Sequence, residues 1–382
     1  MAQTGLNYSY SNTVPQKRMV TDRIVTTSPT DIPAILALGG LNGASKFQFV
    51  NVPHRKYEWL EEALPAITDA AADTDLTNDS TITTVTVTTG ELFQTGDIIQ
   101  FGTDAELVYV TSISGDDLTV VREFGATTGT THASTATVSI RYNARLEGAD
   151  STDSTWAEVT SGVNYSTILH KDVTVSRTAN ILPMYGMGNA VDHQIDKNMD
   201  ILLQQMNRIP YYGTVDVGTA TTARSSGGFG EFITTNTTAL ADAALTATHI
   251  DNDFETIFTA GGKTDLILTT AWNQRKINSF YEGFITTERS EKVGGMLIKK
   301  LQHPVTSALA DIVVDRACRS GYVYLLDRRY IGFLEIDPFF YEELGKVGDT
   351  AEGGFGQVVG EYGLVVAFEN ASSAVTGYST SS

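Results

Sequence analysis

Apolar residues recur along this chain with two distinct periods. A helical period is clearest over residues 189–209, where Val191, Ile195, Met199, Leu202, Met206 and Ile209 fall on one stripe. Asp196, Lys197, Asp200, Gln204 and Arg208 fall largely off it. Asn189 stands where an N-cap belongs, Asp192 where a capping acid does, and Pro210 closes the run. The spacing predicts a helix about 30 Å long. Ile250, Phe254, Ile257 and Phe258 make a second helical stripe closed by Gly261 and Gly262, and AWNQRKINSFYEG a third helix ending at Gly283.

A period of two governs the rest. TITTVTVTT, DIIQF, ELVYVTSI, DLTVVREF and ATVSIRY follow one another closely, with Gly96, Gly102 and Gly115 between them. They predict a small all-β unit over 79–142, a sandwich or barrel. ATTGTTHASTAT is too polar for a core strand and reads as a loop. A further extended pair ends in HKDVTVSRTANILP. DLILTT, MLIKKL, DIVVD, YVYLLD and IGFLEI read as strands, so strands and helices alternate over 225–335, an α/β layer. VVGEYGLVVAFEN is strand-like, and SSAVTGYSTSS reads as a polar tail. Residues 1–30 are polar and irregular, SPTDIP reads as a turn, and together they predict an extended arm that needs a surface elsewhere. Residues 61–78, acidic and rich in Ala and Thr, read as a linker.

Composition narrows the function. Of 382 residues, 41% are hydrophobic and 19% charged, a globular balance. No apolar run is long enough for a membrane helix, and the N-terminal stretch lacks the apolar core of a signal peptide. The net charge is −19. Residues 1–60 carry six Lys/Arg against three Asp/Glu, a net +3, and residues 61–160 carry three against seventeen, a net −14. A protein that grips a nucleic-acid backbone needs a dense basic face, which is missing here; the acidity reads as solubility.

Candidate chemistry adds little. Asp73, Asp75 and Asp79 are spaced as in a calcium loop, but the central Gly and terminal Glu are missing. The six histidines lack zinc spacing, and neither a nucleophile elbow nor a P-loop lysine occurs. The two GGFG runs, 227–230 and 353–356, complete no dinucleotide fingerprint and read as flexible loops. Cys318, the single cysteine, reads as a small buried thiol rather than a nucleophile. HRKYEW is the densest charged-aromatic cluster. It reads either as an interface or as a solvated strand edge with Trp59 packed beneath it. No catalytic, metal or cofactor residue is expected, and no cofactor. The candidate subunit-contact residues are Lys17, Arg18, Arg23, Arg55, Tyr57 and Trp59. The residues alone describe an acidic, multi-part structural or binding protein.

Several stretches carry a resemblance. They are SPTDIP (28–33), YEWLEEAL (57–64), ELVYVTSISGDDLTVVREFGATTGTTHAS (106–134), AGGKTDLILTTAWNQRKI (260–277), YVYLLDRRYIGFLEIDPFFYEELGKVGD (322–349) and VVGEYGLVVAFENASSA (358–374). In this order they resemble the major capsid proteins of tailed bacteriophages, whose fold is shared with encapsulins and herpesvirus capsid floors. The likeness is to a branch with a β-domain inserted in the extended loop. The resemblance implies an α+β fold: an N-terminal arm (1–34), then an extended loop with part of a peripheral domain (35–188) holding the inserted β-domain 79–142. A spine-helix segment (189–224), an axial α/β domain (225–335) and a return to the peripheral domain with a C-terminal tail (336–382) follow.

The implied function is self-assembly, as pentamers and hexamers, into an icosahedral head shell around packaged DNA that is enclosed without sequence-specific binding. The family is not enzymatic. A separate scaffolding protein is implied, because the first 30 residues are too short and irregular for a built-in scaffold; a portal protein and a decoration protein are the other expected partners. No membrane is involved, and assembly in the host cytoplasm would lead to the virion head. No motif supports a Lys–Asn cross-link. The rival readings are a phage tail or adaptor protein and a β-rich surface or adhesion protein.

Overall fold

The computed structural model describes residues 30–40, 54–71, 83–133, 135–148, 158–182, 188–289, 297–304, 306–346 and 353–380. Most of the expected arm, including Lys17, Arg18 and Arg23, lies outside the described residues, as do Asp73, Asp75 and Asp79. The chain divides into two compact units, residues 60–161 and residues 1–59 with 162–382.

The 60–161 unit is one six-stranded antiparallel sheet. Its strands run in the order Thr68–Ala70, Thr137–Asn143, Asp97–Phe101, Val108–Ser114, Asp117–Val121 and Thr84–Thr86. An antiparallel bridge between Ala71 and Val87, with the Thr88 N–H donating to the Ala70 carbonyl, joins the first strand to the last. The sheet thereby closes into a small barrel without free edges. Alternate residues point inward, and Val85, Ile99, Phe101, Val110, Leu118 and Val138 fill the core. The strand Thr68–Ala70 falls in the stretch expected to be a linker. It is only three residues long and has no large apolar side chain, so it carries no alternation to read.

The larger unit is built on a seven-stranded mixed sheet. The order is Thr237–Ala239, Ser373–Thr376, Tyr322–Leu326, Leu266–Thr269, Leu309–Val314, Leu297–Gln302 and Ile285–Arg289. Central strand 266–269 is buried on both faces, which is why it reads as an unbroken apolar run. Leu266 and Leu268 join a core with Tyr211, Phe229 and Tyr324, while Ile267 joins Ile250, Phe254, Ile257 and Ile277 from the helices Ala247–Thr259 and Ala271–Phe280. Phe258, expected on the buried stripe, is 63% exposed. It stands about 100° further round the helix than Ile257.

The expected polar tail also differs. Residues 373–376 form the second strand of the sheet, with Ala374 and Val375 buried. Polar Ser373 is tolerated there because its hydroxyl donates to Asp253 Oδ2 at 2.6 Å and reaches the Asn236 carbonyl at 3.0 Å.

A three-stranded antiparallel sheet pairs Ile331–Lys346 with Gly353–Val366, and that strand with Thr167–Ser176. The helix Ala190–Met206 packs across it. Asn189 Oδ1 caps the helix, accepting from the Val191 N–H at 2.9 Å. Leu202 and Met206 are fully buried; Val191, Ile195 and Met199 lie half-buried against Val173, Val175 and Val358. The helix stops at Met206, three residues short of the expected end. Pro210 does not terminate it but sits in the first turn of a short helix, Ile209–Tyr212, where its missing N–H costs nothing. Pro33 likewise opens the helix Pro33–Leu38 rather than a turn. The second GGFG run is strand, not loop: a Cβ on Gly356 would run into the Tyr341 ring.

Candidate subunit-contact site

Strand Lys56–Glu61 carries two of the six candidate contact residues, Tyr57 and Trp59, with Arg55 just before it, and it pairs with Thr160–Tyr165. Its pleat turns Tyr57 and Trp59 inward and Glu58 outward. The Tyr57 hydroxyl lies 3.0 Å from the Leu364 carbonyl and 3.2 Å from Ser226 Oγ, and burial pushes its pKa well above the usual phenol value. Buried Asn164 completes the knot. Its Oδ1 accepts from the N–H groups of Tyr165 and Gly227, and its Nδ2 donates to Leu364 O at 2.7 Å. Trp59 meets Phe232 edge-on, with ring centroids 5.6 Å apart. Gly162 lies against the indole so closely that a Cβ there would overlap it.

Tyr57 and Trp59 are therefore buried within the chain itself. The charged-aromatic pattern of HRKYEW is the alternation of a half-buried strand. Arg55 differs: its side chain is exposed and has no carboxylate partner among the described residues, while its carbonyl accepts the Ser166 N–H.

Outward-facing apolar groups occur just beyond the charged-aromatic cluster. In the 60–161 unit, Leu60, Leu64 and Ile67 are 75%, 91% and 66% exposed. Three large apolar side chains within eight residues are thus left in water. Their only signal in the sequence is a set of apolar residues among acids at no regular period.

The same unit encloses a charged cluster. Glu106 receives Arg122 Nε at 2.8 Å and Nη2 at 2.6 Å, with both side chains almost fully buried. His132 Nε2 lies 3.0 Å from Glu106, its Nδ1 lies 2.7 Å from Asp104, and its ring stacks on Phe101. Burial alone would raise the Glu106 pKa; Arg122, the Thr130 N–H and His132 instead hold it down at about 2. This cluster ties down a loop whose backbone is left-handed at Glu123 and Ala126, positions that are strained for residues with side chains. Burial pushes the lone thiol of Cys318 up to about 12. Among the described residues, no group of three or more His, Cys, Asp or Glu could hold a metal ion, and no helix is long and apolar enough to cross a membrane.

The family model described as SU10 major capsid protein matches residues 2–379. The chain belongs to that family. As a major capsid protein, it is a structural component of the phage virion, and many copies of it build the head shell. No curated protein sequence matches it.

Solved structures agree on the α+β phage capsid fold. The cyanophage A-1(L) capsid subunit is similar with a TM-score of 0.55 at 12% identity, covering 97% of this chain and 99% of that one. The capsid of Myoviridae phage XM1 gives 0.50 at 9%, covering 98% and 100%. Mycobacterium phage Bobi gives 0.50 at 8%, covering 96% of each chain. At such identities the likeness lies in the arrangement of helices and sheets, not in individual side chains.

Proposed function

We propose that the capsid subunit works by contact alone, without catalysis, and that the outward surface at Leu60, Leu64 and Ile67 is a principal contact between copies. The exposure of these three side chains carries the reading. A shell can bury in its interfaces what a lone subunit leaves in water, and closed symmetry repeats that gain at every copy.

In this reading the seven-stranded sheet is the axial domain. The three-stranded sheet with helix 190–206 is the peripheral domain. The 60–161 barrel is an insertion carried on the extended loop. The arm, with Lys17, Arg18 and Arg23, lies over an acidic neighbour, and exposed Arg55 serves a similar contact. Tyr57 and Trp59 fix the strand from which the 60–67 segment departs. Pentamers and hexamers form with a separate scaffolding protein in the host cytoplasm. A portal protein and a decoration protein complete the head, and the DNA within is held without sequence recognition.

The test is a triple change, Leu60→Ser, Leu64→Ser and Ile67→Ser. Because these groups are already in water, folding should be unaffected. Assembly followed by light scattering should require markedly more protein. Shells forming at the wild-type concentration would contradict the proposal.

A further inference from the structure

A cleft of about 360 Å³ opens where the C-terminal end of helix 190–206 meets the turn after strand 309–314. Asp31, Asn207, Arg208, Tyr212, Asp315 and Arg316 line it. Its charges are unevenly matched. Asp315 is buried, and its oxygens accept from Asn207 Nδ2 at 2.7 Å, the Tyr211 hydroxyl at 3.1 Å and the Ala317 N–H at 2.7 Å. Asp31 pairs with Arg316 at 3.0 Å, with both groups in water, so the pair holds weakly. Arg208 is exposed and has no carboxylate partner among the described residues. Next to the cleft, the Arg319 guanidinium lies 4.7 Å from the centre of the Tyr212 ring and 5.5 Å from that of Tyr322. Its Nε is buried without a hydrogen-bond partner. Stacking on the two rings holds this guanidinium in place.

Arg208, an exposed cation without a carboxylate partner among the described residues, stands out in a chain of net charge −19 and suits an anionic group brought by a docking neighbour. A nucleic-acid backbone would need a row of cations along a surface, not one concave cleft. The neighbour always at hand in a shell is another copy, and its acid is concentrated in residues 61–160, with three Lys/Arg against seventeen Asp/Glu. We infer that the cleft receives a carboxylate side chain from residues 61–160 of a second copy, with Arg208 as the accessible partner and Arg316 released from Asp31 to share it. The inference rests on the reading of the chain as a shell subunit.

Arg208→Glu tests it. The site is exposed, so the variant should fold with unchanged circular dichroism and melting temperature. It should raise the protein concentration needed for assembly by about tenfold, equivalent to about 1.4 kcal/mol. Arg208→Lys keeps the positive charge and places an amine in the cleft. Shells made from a mixture of isotopically heavy and light Arg208→Lys subunits, treated with a carbodiimide, should then yield cross-linked peptides of mixed isotope joining residue 208 to an acid within 61–160.

Wild-type protein that never forms shells would sink the capsid reading itself. Wild-type shells with unaltered assembly of Arg208→Glu would overturn only the cleft. So would cross-links confined to one chain, for instance to Asp31, cross-links to a scaffolding protein, or an assembly defect that disappears after nuclease treatment. Should Arg208→Glu fail to fold, Arg208→Gln and the cross-link pattern decide the matter alone.

Discussion

Glu106 has no water to fall back on: Arg122, the Thr130 N–H and His132 occupy its oxygens inside the barrel. A carboxylate held in this way links stability to pH. Its folded pKa, about 2, lies below the ordinary 4.5, so the native state favours the ionised form. The resulting stability is present above about pH 4.5 and drains away as the pH falls towards 2. Glu106→Gln should lower stability at neutral pH by about 3–5 kcal/mol, since it leaves Arg122 buried without its counter-charge. It should also flatten the loss between pH 4.5 and 2, measured by urea unfolding followed by tryptophan fluorescence and circular dichroism. Equal stability of the variant at pH 7 would mean that solvent reaches this cluster. Arg122 and His132 stand 16 and 26 residues from Glu106, and no local pattern in the sequence links them.

At the scale of elements, legibility follows periodicity. The helix Ala190–Met206 and the strands 266–269 and 322–326 were plain in the sequence, because each buries a long or continuous apolar face. Residues 68–70 and 373–376 were not. A three-residue strand has too few positions to alternate, and Ser373 owes its burial to Asp253 and Asn236, more than a hundred residues away. The contact site was hardest to read. Tyr57 and Trp59 share the inward face of strand Lys56–Glu61, whereas Arg55, in the same charged-aromatic cluster, precedes the strand and is exposed. Leu60, Leu64 and Ile67 stand among acids at no regular period, so nothing in their spacing marks them as exposed.

The barrel makes a sharp prediction at this scale. A fragment of residues 60–161 should melt cooperatively with a β-type circular dichroism spectrum. A fragment of 79–142 lacks strand 68–70 and the Ala71–Val87 closure, so it should be unfolded or aggregate through its open edges. Equal cooperativity in the two fragments would show that closure adds nothing.

For the whole molecule, charge opposes what exposed apolar surface favours. Each copy carries −19, and a shell crowds many copies together. The six Lys/Arg of residues 1–60 offset little of the acid beyond them. Salt shortens the Debye length from about 30 Å at 0.01 M to about 10 Å at 0.1 M, which weakens the repulsion between neighbours. Raising salt over that range should therefore lower the protein concentration at which light scattering appears; a steady weakening of assembly would mean that cation-to-acid contacts outweigh the repulsion. The most direct test is electron microscopy of the purified chain, expressed alone and with the separate scaffolding protein proposed above. Closed shells of uniform diameter, with this chain as the main component by mass, are expected. Tubes, tail-like structures or unassembled monomers at every concentration would contradict the capsid reading.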